Sequence, residues 1–106
     1  MSDWINVAKI SEFPVGTWRV VDAEDISILV FNIDNHFYAI ENVCTHDGGT
    51  LSDGHLEGDE IVCPRHGAHF CVRTGAVTQP PAYEDVTTFP VRVVDEMIQT
   101  RDDRWD

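Results

Sequence analysis

A chain of 106 residues with 19 acidic and 7 basic side chains carries a formal net charge of −12. That balance argues against nucleic acid as a partner, because neutralising phosphates takes clustered Lys and Arg, and the length leaves room for one domain but not for a second, catalytic one. No stretch approaches the ~20 apolar residues that span a bilayer, and Met1-Ser2-Asp3-Trp4 lacks the basic-then-apolar order of a secretory signal, so the expected compartment is the cytoplasm.

In chain order, the elements read as short strands. Residues 8–13 allow a single helical turn. Trp18–Val21 and Ile26–Ile33 are rich in β-branched and aromatic residues and predict strands. His36–Ile40 follows after Asp34-Asn35, two residues that tolerate the left-handed region, so a tight hairpin is expected. Phe70-Cys71-Val72 and Ala76-Val77 flank Arg73-Thr74-Gly75, a three-residue hairpin loop with Gly75 at its positive-φ position. Val91–Val94 and Met97–Thr100 pair around Asp95-Glu96. The expected fold is all-β, an antiparallel sandwich or partial barrel.

The segment from about 43 to 82 breaks the pattern with Gly, Pro and polar residues. It is expected to be a small lobe inserted into a single domain spanning 1–106, closed by the stiff turn Gln79-Pro80-Pro81-Ala82. No internal repeat or low-complexity tract is found, and Arg101–Asp106 is expected to be a frayed tail.

The chemistry concentrates in Cys44-Thr45-His46 and Cys63-Pro64-Arg65-His66, separated by sixteen residues from His46 to Cys63. Each pair is too close for helical i,i+4 spacing, so each is expected on a tight loop, with glycine following (Gly48-Gly49 and Gly67) to turn the backbone. Two thiolates and two imidazoles make a four-ligand metal site. Cys₂His₂ is also a common zinc set, but zinc fingers usually keep two cysteines together and two histidines together. Here each loop offers one of each, which suits a binuclear centre gripped from two sides. The third cysteine, Cys71, leaves an odd number and argues against a disulfide framework.

With those residues in view, the chain resembles the Rieske proteins, in which two cysteines hold one iron and two histidines the other iron of a [2Fe–2S] cluster. The resemblance runs from Phe37-Tyr38-Ala39-Ile40 through both ligand loops, Phe70, Val72-Arg73-Thr74-Gly75 and Pro80-Pro81 to Phe89-Pro90-Val91. It is strongest to the small ferredoxins that serve bacterial non-haem iron oxygenases. It implies an iron–sulfur-protein β-sandwich base with a cluster lobe, one [2Fe–2S] cluster on Cys44, His46, Cys63 and His66, and one-electron transfer without enzymatic activity. The implied partners are a flavin-containing ferredoxin reductase and a Rieske-type oxygenase, meeting the chain at the cluster tip around His46, His66, Asp47, Arg65 and Pro81. A Rieske-like small subunit of a nitrite reductase is the alternative. An oxygenase proper would need a second, mononuclear iron site, and no spare two-His-one-carboxylate set is present.

The respiratory Rieske proteins resemble this chain but carry a disulfide between the ligand loops, where Gly49 and Arg65 stand here. They also carry serine and tyrosine hydroxyls bonded to sulfur, where this chain has Ala68 and Phe70. Fewer donors to the sulfurs imply a lower potential. Outside the ligand pattern, Cys71 is expected to be a small buried hydrophobe. His69 is expected to be hydrogen-bonded or exposed, and His36 and His55 carry no ligand signal. Trp4, Trp18 and Trp105 suggest no electron relay; packing explains at least the first two.

Overall fold

The computed structural model describes residues 3–104. The described chain forms β1 (Ile5–Lys9), a 3₁₀ turn (Ile10–Glu12), β2 (Trp18–Asp22), β3 (Ser27–Ile33), β4 (His36–Glu41), β5 (His55–Glu57), β6 (Glu60–Val62), β7 (His69–Cys71), β8 (Val77–Gln79), β9 (Thr88–Phe89), β10 (Val91–Val94) and β11 (Met97–Thr100). Three sheets result, ordered β1-β11-β10, β2-β3-β4-β9 and β5-β6-β7-β8. Every pairing is antiparallel, so the all-β expectation holds.

The middle sheet explains the layering. β3 reads Ser-Ile-Leu-Val-Phe-Asn-Ile, an almost unbroken apolar run, because both of its faces are covered. Side chains alternate across a strand. Leu29 and Phe31 pack with Ile40, Ile61, Phe70 and Val72 of the β4–β7 region. Ile28 and Val30 point the other way, to Phe13, Val21, Ala39, Phe89 and Ile98. Each large side chain so buried is worth roughly 1.5–3 kcal/mol. Cys44 and Cys63 belong to the first of these clusters, so the candidate donors are anchored in the core itself.

Two hairpins follow their turn chemistry. Asp34 and Asn35 (φ 53° and 68°) close β3–β4, and Asp95 and Glu96 (φ 50° and 67°) close β10–β11. Both central residues are left-handed, which matches the twist of the flanking strands.

The strands missed by sequence reading are short or irregular. β1 shifts register between Asn6 and Ala8, which breaks its alternation. β5 and β6 have three residues each around Gly58-Asp59, and β9 has two. The expected frayed tail is corrected as far as residue 104. Asp102 is buried, and its carboxylate accepts from Arg104 Nε at 2.9 Å and Nη2 at 2.8 Å. Arg104 also reaches Asp25 at 3.2 Å, and the Arg101 guanidinium lies 5.3 Å from the Trp4 ring centre. Arg104 holds the Asp102 carboxyl below the ordinary carboxylate range. Trp105 lies outside the described residues.

Candidate metal centre

Three six-residue turns share one backbone design. In Cys44–Gly49 the Cys44 N–H donates to the Gly49 carbonyl at 2.7 Å, and the Gly48 N–H returns to the Cys44 carbonyl at 2.7 Å. In the second turn Cys63 donates to Ala68 at 2.8 Å and Gly67 to Cys63 at 3.1 Å. In the third, Cys71 donates to Ala76 at 2.8 Å and Gly75 to Cys71 at 2.8 Å. The fifth residue is a left-handed glycine each time, at φ 75°, 77° and 79°. Side chains rarely adopt this conformation, so glycine is needed there. The repeat is one of local geometry, and it went unseen because the fixed positions are only cysteine and glycine.

The first two turns face each other. The Cys44 and Cys63 thiols and a carboxylate oxygen of Asp47 lie within 4.8 Å of one another. The imidazoles of His46 and His66 form a second group, also within 4.8 Å and also shared with Asp47. Their rings lie edge to face, 5.0 Å between centres. The thiols are buried and the imidazoles are at the surface. The donors therefore fall into a sulfur layer inside and a nitrogen layer outside. A tetrahedral zinc site would draw all four donors to within about 4 Å of each other, given bonds of ~2.0–2.3 Å. Two separate donor pairs fit a binuclear cluster better, and the residues present fit a [2Fe–2S] group.

Burial pushes the Cys44 thiol up, the N–H groups of His46 and Asp47 pull it down, and the neighbouring Cys63 adds to the rise. A bound metal ion is what makes such a thiol a ligand, since coordination deprotonates it outright. Asp47 is held at about 2, chiefly by its hydrogen bond from Arg65 and then by the Gly49 N–H.

Neighbouring segments brace the turns. Buried Asn42 accepts through Oδ1 from the N–H groups of Leu51 and Ser52 at 2.8 and 2.9 Å. Thr45 Oγ1 donates to the Glu84 carbonyl at 2.6 Å, tying the first turn to the proline loop, where Pro80–Pro81 is a cis peptide. Gln79 Nε2 donates to the Gly67 carbonyl at 3.3 Å, tying in the second. Ala68 and Phe70 are fully buried beside Cys63 in the same cluster.

The third turn stands apart. Cys71 joins neither donor group, and it is half-buried rather than a core hydrophobe. Burial pushes its thiol up, but hydrogen bonds from Thr74 and from the N–H groups of Arg73 and Thr74 outweigh this and leave it below the ordinary thiol range. His69 pairs with Glu60 at 2.9 Å and exposed His55 with Glu57 at 2.9 Å. His36 lines a cleft of about 550 Å³ with Asp34, Tyr38, Asp59 and Arg73, which shares no residue with the donor groups. Trp18 packs on Phe31 at 6.0 Å between ring centres, and Trp4 lies under the Arg92 guanidinium at 4.2 Å. The side chains sequence reading left unconnected were Asp47 and Arg65, which meet across the two turns at 2.6 Å. No local sequence pattern signals this pairing, because the two residues stand eighteen positions apart.

These features are those of a known class. The Rieske [2Fe–2S] domain model matches residues 3–90. The chain is 36% identical over 91 residues to the ferredoxin component of the naphthalene 1,2-dioxygenase/salicylate 5-hydroxylase systems of Ralstonia sp, covering 86% of this chain and 88% of that one. It is 38% identical over 86 residues to the biphenyl dioxygenase ferredoxin subunit of Pseudomonas sp. (strain KKS102), covering 80% and 79%. Among solved structures it superposes with a TM-score of 0.87 and 35% identity on a chain from a complex of reduced oxygenase and oxidised ferredoxin in carbazole 1,9a-dioxygenase, covering 92% and 91%. The chain belongs to the Rieske [2Fe–2S] family. Its cofactor is one [2Fe–2S] cluster, and no helix among the described residues is long and apolar enough to cross a membrane.

Proposed function

We propose that Cys44 and Cys63 bind one iron of the cluster, and His46 and His66 the other. In this role the chain carries single electrons from a flavin-containing ferredoxin reductase to a Rieske-type non-haem iron oxygenase. The observation that carries this reading is the layering of the donors, with thiols in the core and imidazoles at the surface. When bound, the cluster accepts and returns one electron. The residues do the rest. Segment 43–82 acts as the cluster lobe of one domain, 1–106, and the reading places the carrier in the cytoplasm with its partners. The chain is an electron-transfer component, not an enzyme.

The buried thiols keep water from the sulfur side, while His66, its side chain 57% exposed, puts the outer ligand pair where a partner can approach. Tyr83, 83% exposed, precedes Glu84, whose carbonyl Thr45 of the first turn engages, and offers a partner an aromatic contact on the proline loop. The −12 charge favours encounter with a basic partner face, and salt weakens that attraction over a Debye length of ~10 Å at 0.1 M.

Stopped-flow mixing of the reduced protein with an oxygenase, and of the oxidised protein with reductase and NADH, tests the reading. Rapid exchange that slows with added salt and with Tyr83→Ala supports it. Failure to exchange with any reductase–oxygenase pair, by a protein with a full cluster, would refute the assigned role.

A further inference from the structure

Beyond the proposed ligands Cys44 and Cys63, the two turns hold no cysteine that could join them, yet a side chain spans the gap. Arg65 leaves the second turn and reaches the first, where Nε donates to Asp47 Oδ2 at 2.6 Å. Its Nη2 donates to the Thr50 carbonyl at 3.1 Å, just past that turn. Asp47 is itself fixed, because its Oδ1 accepts from the Gly49 N–H at 2.9 Å. The guanidinium needs the space over Gly49, where an added Cβ would lie 2.3 Å from Arg65 Cζ. Gly49 has no positive φ, so seating this side chain is the visible reason for glycine there. Both side chains are largely covered, at 34% and 20% exposed.

We infer that Arg65, seated on Gly49 and gripped by Asp47, is a positioning residue: it latches the two ligand turns at cluster spacing and lays a fixed positive charge beside the sulfur ligands. The inference rests on the ligand assignment proposed above. An exposed ion pair contributes little stability. This one is anchored at both ends by backbone groups, so its effect is on geometry and local charge. Arginine suits the task, because it stays charged at every working pH and its planar fork bonds two acceptors at once. Its partner Asp47 has a carboxylate oxygen within 4.8 Å of both thiols, so the guanidinium charge sits beside the sulfur layer. An electron added to the cluster increases the negative charge there, and a nearby cation favours that state.

Three variants separate the latch from its charge. Arg65→Met removes both and is expected to lower the midpoint potential and to speed iron loss to a chelator by roughly 10-fold, the low end for outer-shell changes. Arg65→Lys keeps the charge without the fork; its potential should stay nearer the wild type while iron loss still accelerates. Gly49→Ala keeps the arginine but denies it the seat, so iron loss should accelerate with residue 65 untouched. It also serves if Arg65→Met does not fold. Potentials would be read by protein-film voltammetry and iron loss by the decay of visible absorbance. An Arg65→Met protein with wild-type potential and wild-type iron loss would overturn the latch alone. A wild-type protein that binds no iron and acid-labile sulfide would overturn the ligand assignment and the latch with it.

Discussion

The turns at Cys63–Ala68 and Cys71–Ala76 read Cys-Pro-Arg-His-Gly-Ala and Cys-Val-Arg-Thr-Gly-Ala, and their backbones follow the same hydrogen-bond scheme. The first faces a second turn of its kind and contributes donors to both groups of the candidate centre. The other has Thr74 where the first has His66, has no facing turn, and joins neither group. A cysteine at the head of such a turn is therefore not in itself a metal site. The candidate centre adds a histidine at the turn and a partner turn held opposite by the core. In the solitary turn the same amide geometry serves the sulfur of Cys71, whose neighbours Thr74 and Arg73 stabilise its anionic form.

The largest expected effect separates the two turns outright. Cys63→Ser or His66→Ala should abolish the native cluster, while Cys71→Ala should leave iron and sulfide content unchanged. Metal analysis of the three purified variants checks this, and an altered iron count in Cys71→Ala would break the comparison.

Glycine substitutions grade the turns by their surroundings. Gly67→Ala must hold a left-handed φ, at a cost of roughly 1–2 kcal/mol, with open space around the new methyl. Gly75→Ala pays the same conformational cost and also drives Cβ to 2.2 Å from the Val86 carbonyl oxygen. It should therefore be the more destabilising of the two by at least roughly 1 kcal/mol, the low end for overpacking. Urea unfolding of the two variants would show the order.

A subtler change concerns the reduction potential. Ala68 and Phe70 are buried beside Cys63 and offer the sulfurs no hydroxyl. The potential should lie nearer the ~−150 mV end than the ~+300 mV end of the Rieske range. Ala68→Ser with Phe70→Tyr should raise it, as read by protein-film voltammetry. No rise, with both hydroxyls seen to reach sulfur in a crystal structure, would contradict this account of the low potential.

The smallest effect belongs to the solitary turn. Hydrogen bonding favours the Cys71 thiolate, so with the cluster in place its alkylation should reach half-maximal rate at a lower pH than that of an unperturbed thiol measured alongside. The sign follows from the direction of the shift: the reactive thiolate is the high-pH form, and a lowered pKa extends it to lower pH. Thr74→Val removes a donor and should move the midpoint back up. Mass spectrometry of iodoacetamide labelling against pH measures both.

Much of this molecule was legible in the sequence. The candidate donors at 44, 46, 63 and 66, which the fold brings together, stood out because sulfur and imidazole recur together at short spacing. The hairpins at Asp34-Asn35 and Asp95-Glu96 were clear because their turn residues are specific. β5 and β6 were missed because three residues are too few to show a period, and β1 because its bulge breaks alternation. The Arg65–Asp47 contact depends on how two distant turns are brought face to face, which local pattern does not encode. Asp102 looked like part of a charged tail, and its pairing with Arg104 compensates for its burial.

In the assignment proposed above, two thiols and two imidazoles split between the two irons of one cluster. Pulsed electron paramagnetic resonance of the dithionite-reduced protein tests it directly, with ¹⁵N-histidine labelling to identify the nitrogens. Two histidine nitrogens should couple strongly to the reduced cluster, and one of them should disappear in His46→Ala or His66→Ala if any cluster survives. A reduced cluster with no coupled histidine nitrogen, or a colourless protein holding one tightly bound zinc, would contradict it.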